Sequence, residues 1–268
     1  MSGGRFRLGR NKKAKMRPEV NLTEDCHMTE LLHMKDNYIR EFDATITKVG
    51  QNYVVLDRTA FYPESGGQSG DRGVLKSGRT EAVVTGTKKK GEVRHYLSGP
   101  PPFETGMEVH GELDWAFRHE CMRYHTAQHV LSRYLQLNHG LETQGNMVKP
   151  TESRADYAPI DDFSDELVAE TEAAVNEILA KNLDVRIEFM PRKEAIEYLK
   201  KRKYQTRYLE MVPESVKNFR VVLIGDYDAS ACAGTHVGNT GEIGALRINK
   251  TKNVGAEKQR LYFSLTAP

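Results

Sequence analysis

Cysteine is sparse in this chain, and long apolar runs are missing altogether. Its three cysteines, Cys26, Cys121 and Cys232, stand far apart. That spacing argues against a disulfide framework and for a reduced, cytoplasmic setting. No stretch approaches the roughly 18 apolar residues that a membrane helix needs, so a soluble protein with no membrane partner is expected. The opening is small and basic where a secretory leader would turn apolar. A Walker loop ending in Gly-Lys-Ser/Thr is absent, which argues against nucleotide hydrolysis and a nucleotide cofactor. No Ser-His-Asp or Cys-His nucleophile pair stands out, so no covalent intermediate is expected.

What is present fits one large domain or two modest ones, since 268 residues with 38% apolar and 28% charged side chains can bury a core. The formal charge of +2 is unevenly spread. Seven Arg and Lys against Glu19 give residues 1–20 a charge of +6, leaving −4 for the remainder. Residues 1–27 have no apolar periodicity and read as a basic, disordered extension. It is either an arm that touches nucleic acid or an addition ahead of a natural start at Met28.

From residue 41 to 114 the pattern is β. Alternating segments at 42–49, 53–57, 81–87, 93–97 and 107–114 are spaced by Gly-, Pro- and Lys-rich turns, which predicts a small barrel or sandwich. The glycine-rich segment FYPESGGQSGDRG (61–73) is too long for a hairpin turn. The texture changes at Trp115. Residues 117–136 predict a helix with Met122, Leu131 and Leu135 at apolar positions. Residues 164–181 predict an amphipathic helix capped by Ser164. A strand at 183–189, a helix opening at Pro191, a strand at 219–226 and paired strands at 242–250 and 259–265 follow. The expected fold class is α+β: a β-barrel-like domain at 28–116 with the glycine-rich loop, then an α+β domain at 117–268.

His125 and His129 stand four apart on the expected helix, about 400° of turn, so both imidazoles leave one face. Cys232 and His236 repeat the spacing in the loop after a buried-looking strand. Three imidazoles and a thiolate form a donor set that suits zinc, one ion per chain. Cys121 lies one further turn up the same helix. Ligands at i, i+4 and i+8 would span about 12 Å, too far for one ion, so Cys121 is assigned to packing. A zincin-type protease needs Glu after the first His; Thr126 stands there instead. Spacing leaves open whether the metal is catalytic or structural.

HTAQH (125–129), CAGTHV (232–237) and FYPESGGQSGDRG (61–73) together resemble the AlaX proteins. These are free-standing relatives of the editing domain of alanyl-tRNA synthetase, and the barrel ahead of the HxxxH helix resembles their longer form. The resemblance runs from about residue 28 to 265. It implies a zinc-dependent aminoacyl-tRNA deacylase that hydrolyses Ser-tRNA(Ala) and Gly-tRNA(Ala) in trans. It also implies that His125, His129, Cys232 and His236 hold the zinc, that Gln144 serves editing, and that Gly66, Gly67 and Gln68 lie near the amino-acid pocket. Thr59 matches a hydroxyl residue just upstream and is the expected partner of the serine hydroxyl, because a site built to bond that group rejects alanine. Gly66 and Gly67 would admit the RNA 3′ end, with Gln68 orienting it. Two departures from the family pattern are Ala233, where a glycine is usual, and Asn146, where serine is often found. Ala233 would cost backbone freedom if its φ had to be positive.

For RNA contact, Lys200, Lys201, Arg202, Lys203 and Arg207 interleave with Tyr198, Tyr204 and Tyr208. Cations can neutralise phosphate and tyrosines can stack on bases; the plainer alternative is a solvated helix face. Lys88, Lys89 and Lys90, at an expected hairpin tip, are a weaker candidate. The rival functions are a tRNA-binding module with a structural zinc and a metal-dependent hydrolase of another small ester or amide.

Overall fold

A computed structural model describes residues 28–204, 206, 209 and 212–268. The basic N-terminal extension, Arg207 and Tyr208 lie outside the described residues. Short strands β1 (Glu30–Leu31) and β4 (Arg58–Thr59) pair in parallel beside a closed barrel. The barrel comprises β2 (Glu41–Val49), β3 (Tyr53–Leu56), β5 (Gly73–Ser77), β6 (Thr80–Lys90), β7 (Glu92–Leu97) and β8 (Glu108–Leu113), in the order β2-β3-β7-β6-β5-β8. Alternation along each strand turns Phe42, Ile46, Leu56, Leu75, Val84 and Val109 inward. Closure needs β5, which sequence reading left unassigned between the glycine-rich loop and the strand at 81–87 because Gly73–Ser77 is short and only weakly alternating.

Helix α1 (Trp115–His139) follows at once. Asp114 caps it by accepting from the Phe117 N–H, and Gly140, at φ 67°, ends it in the left-handed conformation. Those caps set it wider than the expected 117–136. Cys121, Met122, Ala127, Val130, Leu131 and Leu135 are all fully buried on it, so α1 is a central helix covered on several sides. Strands β9 (Glu142–Met147) and β10 (Ser153–Ala158), helix α2 (Asp165–Leu179), strand β11 (Val185–Pro191) and helix α3 (Arg192–Lys201) come next. They lead to β12 (Asn218–Ile224), β13 (Asp228–Ala231), β14 (Leu246–Gly255) and β15 (Lys258–Leu265). One sheet has the order β14-β15-β10-β9, the other β11-β12-β13. The strand expected from 242 starts later, because residues 240–242 form a 3-10 turn closed by an Asn239–Glu242 capping box. Sequence reading passed over β9, β10 and β13, which lack the alternation of the strands it found.

Two devices fasten the barrel to α1 and its sheets. Arg118, in the first turn of α1, is fully buried and spans to the barrel side. Its guanidinium donates to Asp71 (Nε–Oδ2 2.8 Å), to the Asn37 carbonyl (3.0 Å) and to the Ala60 carbonyl (2.6 Å). The glycine-rich loop then docks on the end of β9, where the Val148 N–H donates to the Gly67 carbonyl at 2.8 Å. A Cβ on Gly67 would strike Asn146, so this approach requires glycine there. Among the described residues no helix is long and apolar enough to cross a membrane.

Candidate active site

Helix geometry puts His125 and His129 on one face of α1, with ring centroids 5.2 Å apart. The loop after β13 brings Cys232 and His236 against them. The ligand atoms of these four residues all lie within 4.8 Å of one another. Each imidazole is held from behind. His125 Nδ1 donates to Gln68 Oε1 (2.8 Å), His129 Nδ1 to Asp228 Oδ2 (3.3 Å), and His236 Nδ1 to Thr126 Oγ1 (3.2 Å). The Thr126 hydroxyl gives its own proton to the Met122 carbonyl, which leaves its oxygen to accept. All three rings therefore carry the proton on Nδ1 and turn Nε2 inward, the tautomer a metal needs. The Cys232 sulfur sits 3.6 Å from His125 Nε2 and 3.4 Å from His236 Nε2. The donor set fits a zinc-type ion.

Burial opposes ionisation of Cys232, but His125 and His236 outweigh it and hold the thiol well below its usual range. Burial and His125 keep His236 well below the usual imidazole range. For His129 burial again opposes charge, yet Asp228 and the Cys232 sulfur push it up to about 10. Cys121, by contrast, is pushed up to about 12 by burial and stands apart from the cluster, as packing requires.

His125, His129 and Cys232 of the cluster form one wall of a cavity of about 610 Å³, with His236 buried behind them. His125, Gln128, His129, Ser132, Arg133 and Gln136 line it from a single face of α1, at the 3–4 residue spacing of a helix stripe. Tyr62 and Gly66 enter from the glycine-rich loop, Thr143 and Asn146 from β9, and Val212 and Pro213 from beyond α3. A chain of hydrogen bonds runs along the wall: Asn146 to Gln128 (2.9 Å), Gln128 to Ser132 (2.8 Å), and Ser132 to Tyr157 (3.0 Å).

With this geometry in view, comparison with known proteins is decisive. A family model described as "tRNA synthetases class II (A)" matches residues 10–117, and one described as "Threonyl and Alanyl tRNA synthetase second additional domain" matches residues 219–262. The alanyl-tRNA editing protein AlaX-M of Methanosarcina mazei is 40% identical over 249 residues, covering 89% of this chain and 97% of that protein. AlaX-M of Saccharolobus solfataricus is 34% identical over 89% of this chain and 99% of its own length. The chain belongs to the AlaX-M family. It is also 37% identical to the alanine–tRNA ligase of Pyrococcus furiosus, over 92% of this chain but 27% of the ligase.

Within this AlaX-M chain several expected residues take other places. Thr59 is fully buried in the barrel, away from the cavity. Its hydroxyl donates to His95 Nε2 at 2.8 Å and accepts from the Phe61 N–H, so it is a satisfied core group. Gln68 is also fully buried and lies behind His125. Thr235 fixes its amide, with the Thr235 N–H donating to Oε1 (2.9 Å) and Gln68 Nε2 donating to the Thr235 hydroxyl (2.7 Å). Gly66 reaches the cavity, while Gly67 serves the docking of the loop on β9. Gln144 sits at a bulge in β9, and its neighbours Thr143 and Asn146 line the cavity instead. Ala233 is exposed and is not among the residues with positive φ, so its methyl costs the loop nothing. The next residue is the constrained one: a methyl on Gly234 would land on the His125 ring.

Lys200, Lys201, Arg202 and Lys203 are exposed at the end of α3, but the tyrosines among them are engaged. Arg202 lies 4.1 Å over Tyr198, and Tyr204 is buried beneath Arg133 with its hydroxyl on the Asp226 carbonyl. Lys88, at the barrel hairpin, pairs with Glu64 at 3.2 Å. Sequence reading missed Gln128, Asn37 and Asp228. Asn37 accepts from the His236 N–H at 2.8 Å, and no motif announces a partner almost two hundred residues away in sequence.

Proposed function

We propose that this chain hydrolyses, in trans, the ester that joins serine or glycine wrongly to alanine tRNA, with one zinc ion held by His125, His129, Cys232 and His236. The supporting observation is that three donors of this four-residue cluster, His125, His129 and Cys232, line a cavity of about 610 Å³, within the range that buries a small ligand such as an aminoacylated terminal nucleoside. In this reading residues 28–116 are a barrel domain, 117–268 the editing domain, and 1–27 an extension.

Bound there, zinc would supply Lewis acidity toward a carbonyl or water. The protein's own groups supply orientation. Gln68, Thr126 and Asp228 hold the imidazoles, so the ligands need no reorganisation on binding. Val212 and Pro213 border the cavity and restrict water. An aminoacyl ester is already activated, so this chemistry needs no covalent nucleophile.

Rejecting alanine is the harder demand. In place of Thr59, the reading of the serine hydroxyl falls to the polar wall of Gln128, Ser132 and Asn146. Serine's hydroxyl could join that hydrogen-bonded chain, whereas alanine would set a methyl against it and cut its remaining donors and acceptors off from water. Glycine has no side chain to make this contact, but it leaves room for water to stay on the wall in place of the hydroxyl. Lys200, Lys201, Arg202 and Lys203 flank the entrance in this reading, because Arg133, on the cavity wall, donates to the Lys203 carbonyl at 2.8 Å.

Four protein donors can complete a tetrahedron, which favours a second reading of a tRNA-binding module with a structural ion. Release of serine but not alanine from charged alanine tRNA supports hydrolysis, and release of neither supports the module. Release from simple esters without tRNA would point to a different hydrolase. Cys232→Ala is expected to lose metal and activity together; one metal per chain retained in that variant would retire this ligand set.

A further inference from the structure

We propose that the outer face of the β14-β15-β10-β9 sheet is the docking surface for duplex RNA, engaged through its phosphate backbone. The inference rests on the tRNA reading above and deepens it. The inner face, with Ala155, Ile248, Leu261 and Phe263, packs into the core against α1 and α2. Period-two alternation sends the intervening residues to the opposite face. Register then aligns them in rows across the strands: Arg154, Tyr262 and Lys250 in one, Asp156, Arg260 and Lys252 in the next. Arg247 and Lys258 extend the face at its two ends.

Six cations thus face two carboxylates. Asp156 is shared by Arg260 (2.6 Å), Arg154 (3.7 Å) and Lys258 (3.9 Å), and Glu152 pairs with Lys250 at 3.7 Å. One carboxylate that orders three cations leaves most of their charge unspent. This excess arises although the chain beyond residue 20 carries a net −4, so the acids have been placed elsewhere. The cations stand on three strands, β10, β15 and β14, so at about 4.8 Å per strand and about 3.3 Å per residue they spread over roughly 10 Å across the sheet and roughly 17 Å along β14, a footprint for a duplex backbone rather than a single phosphate.

The face reads backbone and not bases. Its central aromatic, Tyr262, is covered by the Lys250 ammonium at 4.3 Å and is closed to stacking. The route to the cavity is short. β9 is the edge strand of this sheet, and it carries Thr143 and Asn146 to the cavity. A helical stem lying on the outer face can pass its 3′ end around that edge.

The test compares the wild-type chain with a triple variant, Arg247→Gln, Lys250→Gln and Lys252→Gln. All three positions are exposed and belong to no site described above. Affinity for uncharged alanine tRNA, for a minihelix of its acceptor stem and for one strand of that minihelix is measured across a salt series. The triple variant is expected to bind tRNA and minihelix at least tenfold more weakly at low salt. The slope of log affinity against log salt should fall by about two, while the single strand is little affected. Unchanged affinity and slope, or a loss confined to the single strand, would overturn the proposal. Serine release is followed in parallel. Duplex binding lost in the variant, with no release by either protein, keeps this surface and retires the hydrolase; release with unchanged binding does the reverse.

Discussion

Gly234 shapes the candidate metal site without being one of its four donors. Gly234 has an ordinary backbone conformation, yet its missing side chain is what lets the Cys232 loop lie flat on the His125 ring. Gly234→Ala is expected to displace His125 and cut metal content well below one per chain, with the fold retained by circular dichroism. Metal content equal to wild type would show that the loop yields. Gln68 acts on the same ring from the other side, and its carbonyl oxygen is the acceptor that fixes the His125 tautomer. Gln68→Ala is expected to weaken metal binding by about 10–100-fold in a competition titration, the usual cost of losing such a partner. His125 was legible in the sequence because its companion stands one helical turn away. Gln68 was legible only as part of a glycine-rich motif, and its role was not.

Among the elements, α1 carries the heaviest duty. Its middle presents the cavity stripe, and its first turn anchors the barrel through Arg118. The Arg118–Asp71 pair is wholly buried, so removing one partner strands the other charge away from water. Arg118→Ala is expected to cost about 3–5 kcal/mol in urea unfolding. The double variant Arg118→Met with Asp71→Leu should recover much of that loss, because no orphan charge remains. Equal destabilisation by both would mean that the guanidinium acts through its carbonyl contacts alone. The middle of α1 followed from its apolar spacing, while Asp114 and Gly140 carry its ends beyond the expected 117–136. Its burial on several sides did not follow, because Arg118, Arg123 and Arg133 break the apolar pattern and are buried all the same.

For the whole molecule, the barrel brings a pH dependence of its own. Burial drives the His95 imidazole down from 6.5 to about 4. It stays neutral, with Nδ1 toward the Val54 carbonyl and Nε2 accepting from Thr59. In the unfolded chain the same group takes a proton below about 6.5, so the unfolded state binds more protons between the two values. Stability therefore falls as pH falls through that window, by about 2 kcal/mol between about pH 7 and about pH 5. Urea unfolding of the wild type and of His95→Gln measures it: the variant should lose that share of the pH slope, and an unchanged slope would assign it to other groups. A residue expected to read substrate is thus the partner of a stability group, because the strand bearing Thr59 points its hydroxyl into the barrel.

The sequence by itself determined the β-then-α+β order of the chain, the Ser164 cap of α2 and the four residues of the candidate metal cluster. Each of these depends on periodicity or on spacings of four, which local geometry converts directly into a shared face. Tertiary structure alone decided that Gln68 stands behind His125, that Thr59 is turned away from the cavity, and that Arg154 of β10 joins the cations of the β14–β15 pair on one face. Those outcomes depend on strand register and on how a loop from one half packs on the other. Such contacts join residues far apart along the chain, and no local pattern encodes them.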